Sequence, residues 1–233
     1  MLNLFYTTSE LLTDERLQQM CRDGEIIEQD PRGPKVVKLA DGDFLKIFRA
    51  RRLFSGARLY SHARRFYRNA LRLQALNIPT VTVKSLYHLS RPGHTAVIYQ
   101  PLAGQTLRQL MATDLSRLQA LAAKMGIFLA TLHDKGVHFH SLHSGNVLLM
   151  PNDEFGLIDV SDMTIYPWSL MCATRIRSFA RLGKYREEMA MLDTAFWQAV
   201  MRGYQQASMH AGRCVPRLVE NIDYLQGASS AHG

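Results

Sequence analysis

One stretch of the sequence, residues 138–161, limits the possible folds more than any other. It reads HFHSLHSGNVLLMPNDEFGLIDVS. Two short apolar runs on either side of a Pro-Asn-Asp turn predict a β-hairpin over residues 147–158. Such a hairpin carries the chain out and back, so Asn146 before it and Asp159 after it can present their oxygen atoms to one magnesium ion. The alternative is an ordinary hairpin with an Asn in a turn and an Asp at a strand end.

The same stretch resembles the catalytic loop and metal-binding strand of the protein-kinase-like phosphotransferases. In that superfamily an H-x-D-L-x-x-x-N loop precedes a hairpin and a D-F-G sequence. Here Phe139 stands at the position of the loop His, Ser141 at the catalytic Asp, Asn146 at the Asn and Asp159 at the Asp of D-F-G. The resemblance implies that Asn146 and Asp159 bind Mg²⁺ together with ATP. It departs from the family at the catalytic base and at Val160-Ser161, which replace F-G.

The flanking LHSGNVLL sequence is similar to that of bacterial lipopolysaccharide core (heptose) kinases and of toluene-tolerance-type kinase-like proteins. The resemblance extends over roughly residues 35–162. It implies an α+β, two-lobed kinase-like fold that forms one domain overall. Residues 1–100 would be a small antiparallel β N-lobe with a lead-in helix and one basic helix. Residues 101–233 would be a mainly helical C-lobe with the catalytic loop and the metal-binding hairpin.

The residues before the catalytic loop suggest the nucleotide contacts that this fold implies. Residues 25–48 alternate short β-like runs with turns, which predicts a three-stranded meander. Lys46 in its third strand matches the phosphate-binding Lys of the family, against the alternative of a solvent-facing strand residue. Gly33 is the one glycine of the turn that would cover the phosphates, and it lies between two prolines that donate no N–H. Gln100 and Leu102 fall in the segment where backbone groups would meet adenine.

The predicted N-lobe helix, residues 56–76, lacks the acidic residue with which the family pairs its Lys. Between Phe44 and Thr113 the sequence has twelve Lys or Arg and no Asp or Glu, whereas the remainder has sixteen basic and twenty acidic residues. Asn69 is a candidate substitute for the missing Glu. The basic excess favours phosphate-bearing partners, and the alternative is a solvated helix face. Its polar side carries Arg58, Arg65, Arg68 and Arg72.

The rest of the sequence predicts structural elements. Apolar periodicity and end signals predict helices over residues 13–24, 114–135, 169–182 and 185–207, with a disordered tail over 226–233. The odd number of widely spaced cysteines argues against a disulfide framework or a structural zinc site, and predicts buried thiols. No apolar run is long enough for a transmembrane helix, and the N-terminus lacks signal-peptide features. The sequence therefore predicts a cytoplasmic protein, with peripheral contact at the inner membrane as a further possibility.

The replacement of the catalytic Asp by Ser141 leaves several functions open. His143, and His140 beside it, can accept a proton near neutral pH, whereas a serine hydroxyl cannot. Asp162 is a spare carboxylate close to the predicted metal position. One reading is a slow or atypical sugar kinase that transfers phosphate from ATP to a lipopolysaccharide core or other anionic sugar acceptor. A second is a pseudokinase that binds nucleotide or lipopolysaccharide intermediates without turnover, and a third, ranked last, is a basic nucleic-acid-binding protein.

Overall fold

A computed structural model describes residues 9–49 and 61–229 of the chain. It is a mixed α+β structure that divides into two compact units. The first unit consists of the chain up to Leu102 together with Asp159–Ser161, and the second consists of Ala103–Ile158 and Asp162 onward. Within the described residues the first unit is built mainly of a β-sheet and the second mainly of helices. Residues 50–60 lie outside the described residues, and they include residues 56–60 of the predicted basic helix with Arg58.

The first unit contains a six-stranded sheet with the strand order β1-β5-β6-β4-β3-β2. Neighbouring strands are antiparallel, apart from the parallel β1–β5 pair. The predicted meander is confirmed as β2, β3 and β4, whereas β1 was not predicted. The strands are β1 (Glu10–Leu12), β2 (Glu25–Asp30), β3 (Gly33–Lys38), β4 (Phe44–Arg49), β5 (Thr82–Leu89) and β6 (His94–Gln100).

Two helices belong to this unit, α1 (Asp14–Asp23) and α2 (His62–Ala75). The predicted N-cap of α1 is confirmed, since the Thr13 side chain accepts a hydrogen bond from the backbone of Arg16. Alternation along β4 sends Leu45 and Ile47 into a core cluster on the side of α1. Lys46, which lies between them, therefore faces the other side of the sheet, where Phe66 of α2 is buried. This alternation decides the environment of Lys46.

The second unit is built around two packed helices, α5 and α8. Its helices are α3 (Leu107–Thr113), α4 (Leu115–Ala120), α5 (Ala122–Asp134), α6 (Cys172–Leu182), α7 (Arg186–Ala190), α8 (Thr194–Ala207) and α9 (Met209–Asn221). Its strands are β7 (Gln105–Thr106), β8 (Val137–Phe139), β9 (Val147–Leu149), β10 (Phe155–Leu157) and β11 (Met163–Ile165). β9 and β10 form the predicted hairpin, with Leu149 opposite Phe155. None of the described helices combines the length and the apolar character needed to cross a membrane.

Several predictions for this unit were wrong. The single helix predicted over residues 114–135 is two helices, α4 and α5, that meet at Leu121. The helix predicted over 185–207 is interrupted between α7 and α8, where the Asp193 side chain caps a new helix by accepting from the Phe196 backbone. Helix α9 was not predicted. Of the tail predicted to be disordered, residues 226–229 belong to a 3₁₀ segment and 230–233 lie outside the described residues.

Glycines allow α5 and α8 to approach each other closely. A Cβ atom on Gly126 would lie 1.9 Å from the Val200 carbonyl oxygen, and one on Gly203 would lie 2.0 Å from the Ala123 carbonyl oxygen. Both distances are far shorter than any van der Waals contact, and the atoms that would be met are backbone. The two helices can therefore pack at this distance only with glycine at both positions.

A buried polar network fills the space beside this helix pair. Arg175 is fully buried and donates to the Asp134 carboxylate, to the Leu170 carbonyl and to the Tyr204 hydroxyl. Because Arg175 can only donate, the Tyr204 oxygen accepts from it, which leaves the hydroxyl proton for Nδ1 of His133 2.8 Å away. The other ring nitrogen of His133 lies 2.9 Å from the Ser178 hydroxyl. All of these groups are satisfied when His133 is neutral.

This network predicts acid sensitivity. Burial, together with the nearby Arg175 charge, lowers the pKa of His133 to about 3, whereas an unfolded histidine has a pKa of about 6.5. As the pH falls below about 6.5 the unfolded chain gains a proton that the folded chain does not. The free energy of unfolding should therefore fall by up to about 1.4 kcal/mol per pH unit between pH 6 and pH 4. Urea unfolding at several pH values measures this slope.

His133→Gln should reduce the pH slope of the free energy of unfolding by the contribution of one proton, about 1.4 kcal/mol per pH unit, even though the variant is less stable at pH 7. The matched control is His210→Gln, since His210 is exposed. Equal slopes for the wild type and His133→Gln would show that His133 is not held neutral.

The cysteine prediction was also wrong for two of the three residues. Cys172 and Cys214 form a disulfide bond with a Cα–Cα distance of 5.4 Å, which links α6 to α9. They are 42 positions apart in the sequence, so only the packing of these two helices brings them together. Cys21 is a free, half-buried thiol, and its pKa is raised by burial.

Candidate functional site

Lys46 of the first unit forms an ion pair with Asp159, although the two residues are 113 positions apart in the chain. Its Nζ atom lies 2.6 Å from the Oδ1 atom of Asp159. The Lys46 side chain is only 8% exposed, whereas that of Asp159 is 41% exposed. The predicted phosphate-binding lysine and the predicted metal-binding aspartate are thus direct neighbours. The carboxylate is the more open of the two and remains accessible to a cation.

Aromatic rings surround the lysine. Strand alternation places Lys46 and Phe48 on the side of the sheet that faces α2, and the Nζ atom lies 5.7 Å from the ring centres of both Phe48 and Phe66. Within residues 9–49 and 61–229 its hydrogen-bond acceptor is Asp159. Tyr99 on β6 packs against Phe66. The pKa of the Tyr99 hydroxyl is raised mainly by burial and further by the nearby Asp159 carboxylate, so Tyr99 stays neutral.

Asp159 has a backbone conformation that few residues adopt. Its φ angle is +52°, in the left-handed region, where Asp and Asn are tolerated better than most side chains. Strained positions of this kind are concentrated at functional sites. Asp153 in the hairpin turn has a similar φ of +59°, as an ordinary turn residue does. The conformation of Asp159 therefore agrees with a site residue but does not distinguish it from a turn residue.

Asn69 does not take the place of the missing helix Glu. It is buried on α2, and its amide nitrogen donates to the backbone oxygen of Val160, 2.7 Å away. The side chain thus holds the backbone next to Asp159, whereas the charge of Lys46 is met by Asp159 itself. The hypothesis that Asn69 pairs with the lysine was wrong, because the amide is used to position the segment that carries the carboxylate.

The catalytic-loop residues lie in the second unit. The amide nitrogen of Asn146 donates to the Ser141 carbonyl oxygen at 2.9 Å. Because the nitrogen is fixed in this way, the amide oxygen of Asn146 is the end left for a cation. The backbone nitrogen of Ile158 donates to the Asn146 carbonyl oxygen, which closes the open end of the hairpin. Asp159 follows Ile158 directly in the sequence.

His143 holds the loop from within. Its Nδ1 atom accepts a hydrogen bond from the Gly145 backbone at 3.1 Å, and its Nε2 atom lies 3.2 Å from the amide nitrogen of Asn146. Its ring also packs edge-on against Tyr185. These contacts give His143 a role in shaping the loop. Both ring nitrogens face loop atoms, which argues against the catalytic role predicted for this residue.

A second set of contacts fixes the loop from outside, and sequence reasoning missed it. Glu188 accepts hydrogen bonds from the Ser144 hydroxyl and from Nε of Arg108, the latter at 2.5 Å. This bond raises the pKa of the Arg108 guanidinium. The Arg108 guanidinium also stacks over Tyr185 at 4.8 Å. Arg108 lies in α3, Glu188 lies in α7 and Tyr185 directly precedes α7. No sequence motif links these three residues.

Ser141 lies next to a carboxylate. Its hydroxyl donates to the Oδ2 atom of Asp162 at 3.3 Å, and the backbone nitrogen of His140 donates to the Asp162 carbonyl oxygen at 3.0 Å. Ser141, predicted to stand at the position of a catalytic Asp, therefore has a carboxylate beside it, supplied by a different part of the chain.

The other predicted nucleotide-binding residues lie at or just beyond strand ends of the first unit. Gly33 opens β3 with a φ of +109° and pairs with Asp30 across the β2–β3 turn. This turn is closed by its own hydrogen bonds between Asp30 and Arg32, so its donors are partly used already. Gln100 ends β6 and is exposed, and Leu102 follows it half-buried.

Within the described residues, no group of three or more His, Cys, Asp or Glu side chains is arranged to hold a metal ion. The predicted magnesium ligands, one amide and one carboxylate, would not form such a group. No protein-family model matches the chain, and no curated protein matches it.

Proposed function

We propose that this protein is a kinase-like phosphotransferase of the lipopolysaccharide core sugar kinase type, slow or atypical, which uses ATP and magnesium. In this proposal the two units are the lobes of a protein-kinase-like fold. The observation that carries the proposal is the ion pair between Lys46 and Asp159. The resemblance assigns a phosphate-binding role to the first and a metal-binding role to the second, and a contact between residues 113 positions apart does not follow from the sequence spacing that suggested them.

Each residue has a distinct task in the proposed site. Lys46 holds a phosphate oxygen of ATP. Because the lysine is buried, water screens the attraction between its ammonium and the phosphate less than it would at the surface. Asp159 is the protein ligand of magnesium in the first unit; magnesium commonly takes one or two carboxylates and completes its shell with phosphates and water. The ion supplies charge neutralisation for the transferred phosphoryl group. Asn69 keeps the Asp159 segment in place through Val160.

The proposal also accounts for the absence of a helix acid. In the kinase-like family a Glu on the helix fixes the lysine. Here Asp159 meets the charge of Lys46 directly, so the lysine is oriented without that Glu. With ATP and magnesium bound, Asp159 would hold the metal and Lys46 a phosphate, so that the buried ammonium would not be left without a partner.

A second candidate function is nucleotide binding without turnover. It is favoured by Ser141 at the position of the catalytic Asp, since a serine hydroxyl is not basic near neutral pH. The two candidates share the same nucleotide site. They differ in whether a proton acceptor for the sugar hydroxyl exists, and binding and turnover measurements separate them.

Nucleotide binding should stabilise the fold. Saturation with ATP and magnesium at about 100 times the dissociation constant should add about 2.7 kcal/mol to the free energy of unfolding. For a chain of this size that corresponds to a rise in Tm of about 5–10 °C. Differential scanning fluorimetry with ATP, GTP and ADP, each with and without magnesium, measures the shift. A Tm that no purine nucleotide changes would contradict both candidate functions.

The experiment that tests the proposed activity is incubation with labelled ATP, magnesium and purified lipopolysaccharide core oligosaccharide. Transfer of label to the oligosaccharide supports the kinase. A nucleotide-induced Tm shift with no transfer to any tested acceptor would support the second candidate.

A further inference from the structure

The strands next to the catalytic loop fix the position of Asp162. β8 and β11 are antiparallel, with Phe139 opposite Met163. This register brings the residue after β8 next to the residue before β11, and the hydrogen bond from His140 to the Asp162 carbonyl oxygen continues the pairing. The backbone of Asp162 is thus fixed beside the loop, and its carboxylate accepts a hydrogen bond from the Ser141 hydroxyl at 3.3 Å.

Among the residues that the structure describes, the carboxylate of Asp162 is not used in an ion pair. Among the described residues, other carboxylates around the loops of the second unit have cationic partners: Asp134 binds Arg175, Asp153 binds Arg117, and Glu188 binds Arg108. None of the ion pairs within those residues includes Asp162, and its side chain is exposed. With no cation from the described residues in contact, this exposed carboxylate is open to an incoming hydroxyl group.

The neighbouring histidines are less suited to this task. His138 is buried, and burial together with the nearby His140 lowers its pKa to about 4. The Nε2 atom of His140 lies 3.1 Å from the Thr164 hydroxyl. Both ring nitrogens of His143 face loop atoms. Asp162 is therefore the group beside Ser141 with a free basic atom.

We propose that Asp162 is the catalytic proton acceptor of this protein, its carboxylate replacing the one lost at position 141, with the Ser141 hydroxyl orienting it. This inference rests on the proposed function. In the reaction, the hydroxyl proton of the acceptor sugar moves to an Asp162 carboxylate oxygen as the acceptor oxygen bonds to the γ-phosphorus of ATP. The bond between that phosphorus and the bridging oxygen breaks, and ADP leaves with the electron pair.

A charge-relocation experiment tests this assignment. The rate of phosphate transfer from Mg·ATP to purified lipopolysaccharide core oligosaccharide, and to water, is measured for the wild type and for four variants. Asp162→Asn should reduce transfer to the oligosaccharide by about 10²–10⁴-fold, the contribution of a general base. Ser141→Ala should reduce it by up to about tenfold, since the carboxylate remains. The double variant Ser141→Asp/Asp162→Ser should recover at least tenfold over Asp162→Asn. The control Asp153→Asn should leave the rate unchanged.

The affinity for Mg·ATP is measured for every variant to separate this inference from the proposed function. Asp162→Asn is expected to bind nucleotide as the wild type does. If Asp162→Asn binds nucleotide and transfers phosphate at the wild-type rate, or if the wild type binds nucleotide and never transfers phosphate, the assignment of Asp162 is overturned while the nucleotide site stands. If no variant and no wild-type sample binds nucleotide, the proposed function itself fails.

Discussion

Replacing Asp134 by alanine is expected to lower the free energy of unfolding by about 3–5 kcal/mol, the usual cost of leaving one member of a buried ion pair without its partner. The Arg175 guanidinium has no exposed surface, and its Nη2 atom lies 2.5 Å from the Asp134 carboxylate. The variant would retain the hydrogen bonds from Arg175 to Leu170 and Tyr204, but not the opposite charge. The expected fall in Tm is about 10 °C, measured by calorimetry or urea unfolding.

Two further variants make this prediction specific to the buried charge. Glu28→Ala removes one member of the exposed ion pair between Glu28 of β2 and Lys35 of β3. It should change the free energy of unfolding by less than about 1 kcal/mol. The double variant Asp134→Leu/Arg175→Met removes both charges and should be more stable than Asp134→Ala alone. An Asp134→Ala variant as stable as Glu28→Ala would mean that water or another group satisfies Arg175.

Several elements of both units could be predicted because their signals are local. The caps of α1, the meander of β2 to β4 and the β9–β10 hairpin are each encoded within a few residues by turn formers and strand alternation. The same holds for Asn146 and Asp159, which border the hairpin. Strand β1 escaped prediction, because three residues of parallel pairing with β5 leave no pattern of their own.

The second unit was harder to predict because its determinants are distant in sequence. The apolar periodicity of residues 114–135 continues through Leu121, and α5 begins after Leu121 without a side-chain cap, so no local signal marks the break between the two helices. The Cys172–Cys214 bond likewise depends on how α6 meets α9. Nothing in the sequence sets Arg175 apart from the other arginines of its helix, yet it is fully buried. Its charge is met by Asp134, which comes from α5.

In the candidate site, likewise, individual residues could be predicted from the sequence but their contacts could not. Lys46 and Asp159 were chosen separately, and their ion pair is information that the sequence does not contain. Asn69 was singled out as a candidate substitute for the missing helix Glu, but its partner is the Val160 backbone and not the lysine. Glu188 and Arg108 were not singled out, because the Ser144–Glu188 contact spans 44 positions and the Arg108–Glu188 contact spans 80.

Asp159→Asn is expected to weaken the affinity for Mg·ATP by about a hundredfold, or about 2.7 kcal/mol. Asparagine tolerates the left-handed backbone at φ +52°, so the fold should be preserved, while the carboxylate that binds the metal is lost. Affinity in the absence of magnesium should fall much less, since the amide no longer pairs with Lys46 and leaves the ammonium free for the phosphates. Asp153→Asn is a matched control, because it makes the same change at another aspartate with positive φ.

The most direct test of the nucleotide site is isothermal titration of ATP into the wild type, Asp159→Asn and Asp153→Asn, each with magnesium and with a chelator. We expect magnesium to strengthen ATP binding to the wild type and to Asp153→Asn, and to have little effect on Asp159→Asn. Absence of ATP binding to the wild type with magnesium, or an Asp159→Asn variant that responds to magnesium as the wild type does, would contradict the assignment of Asp159 and the kinase-like site built on it.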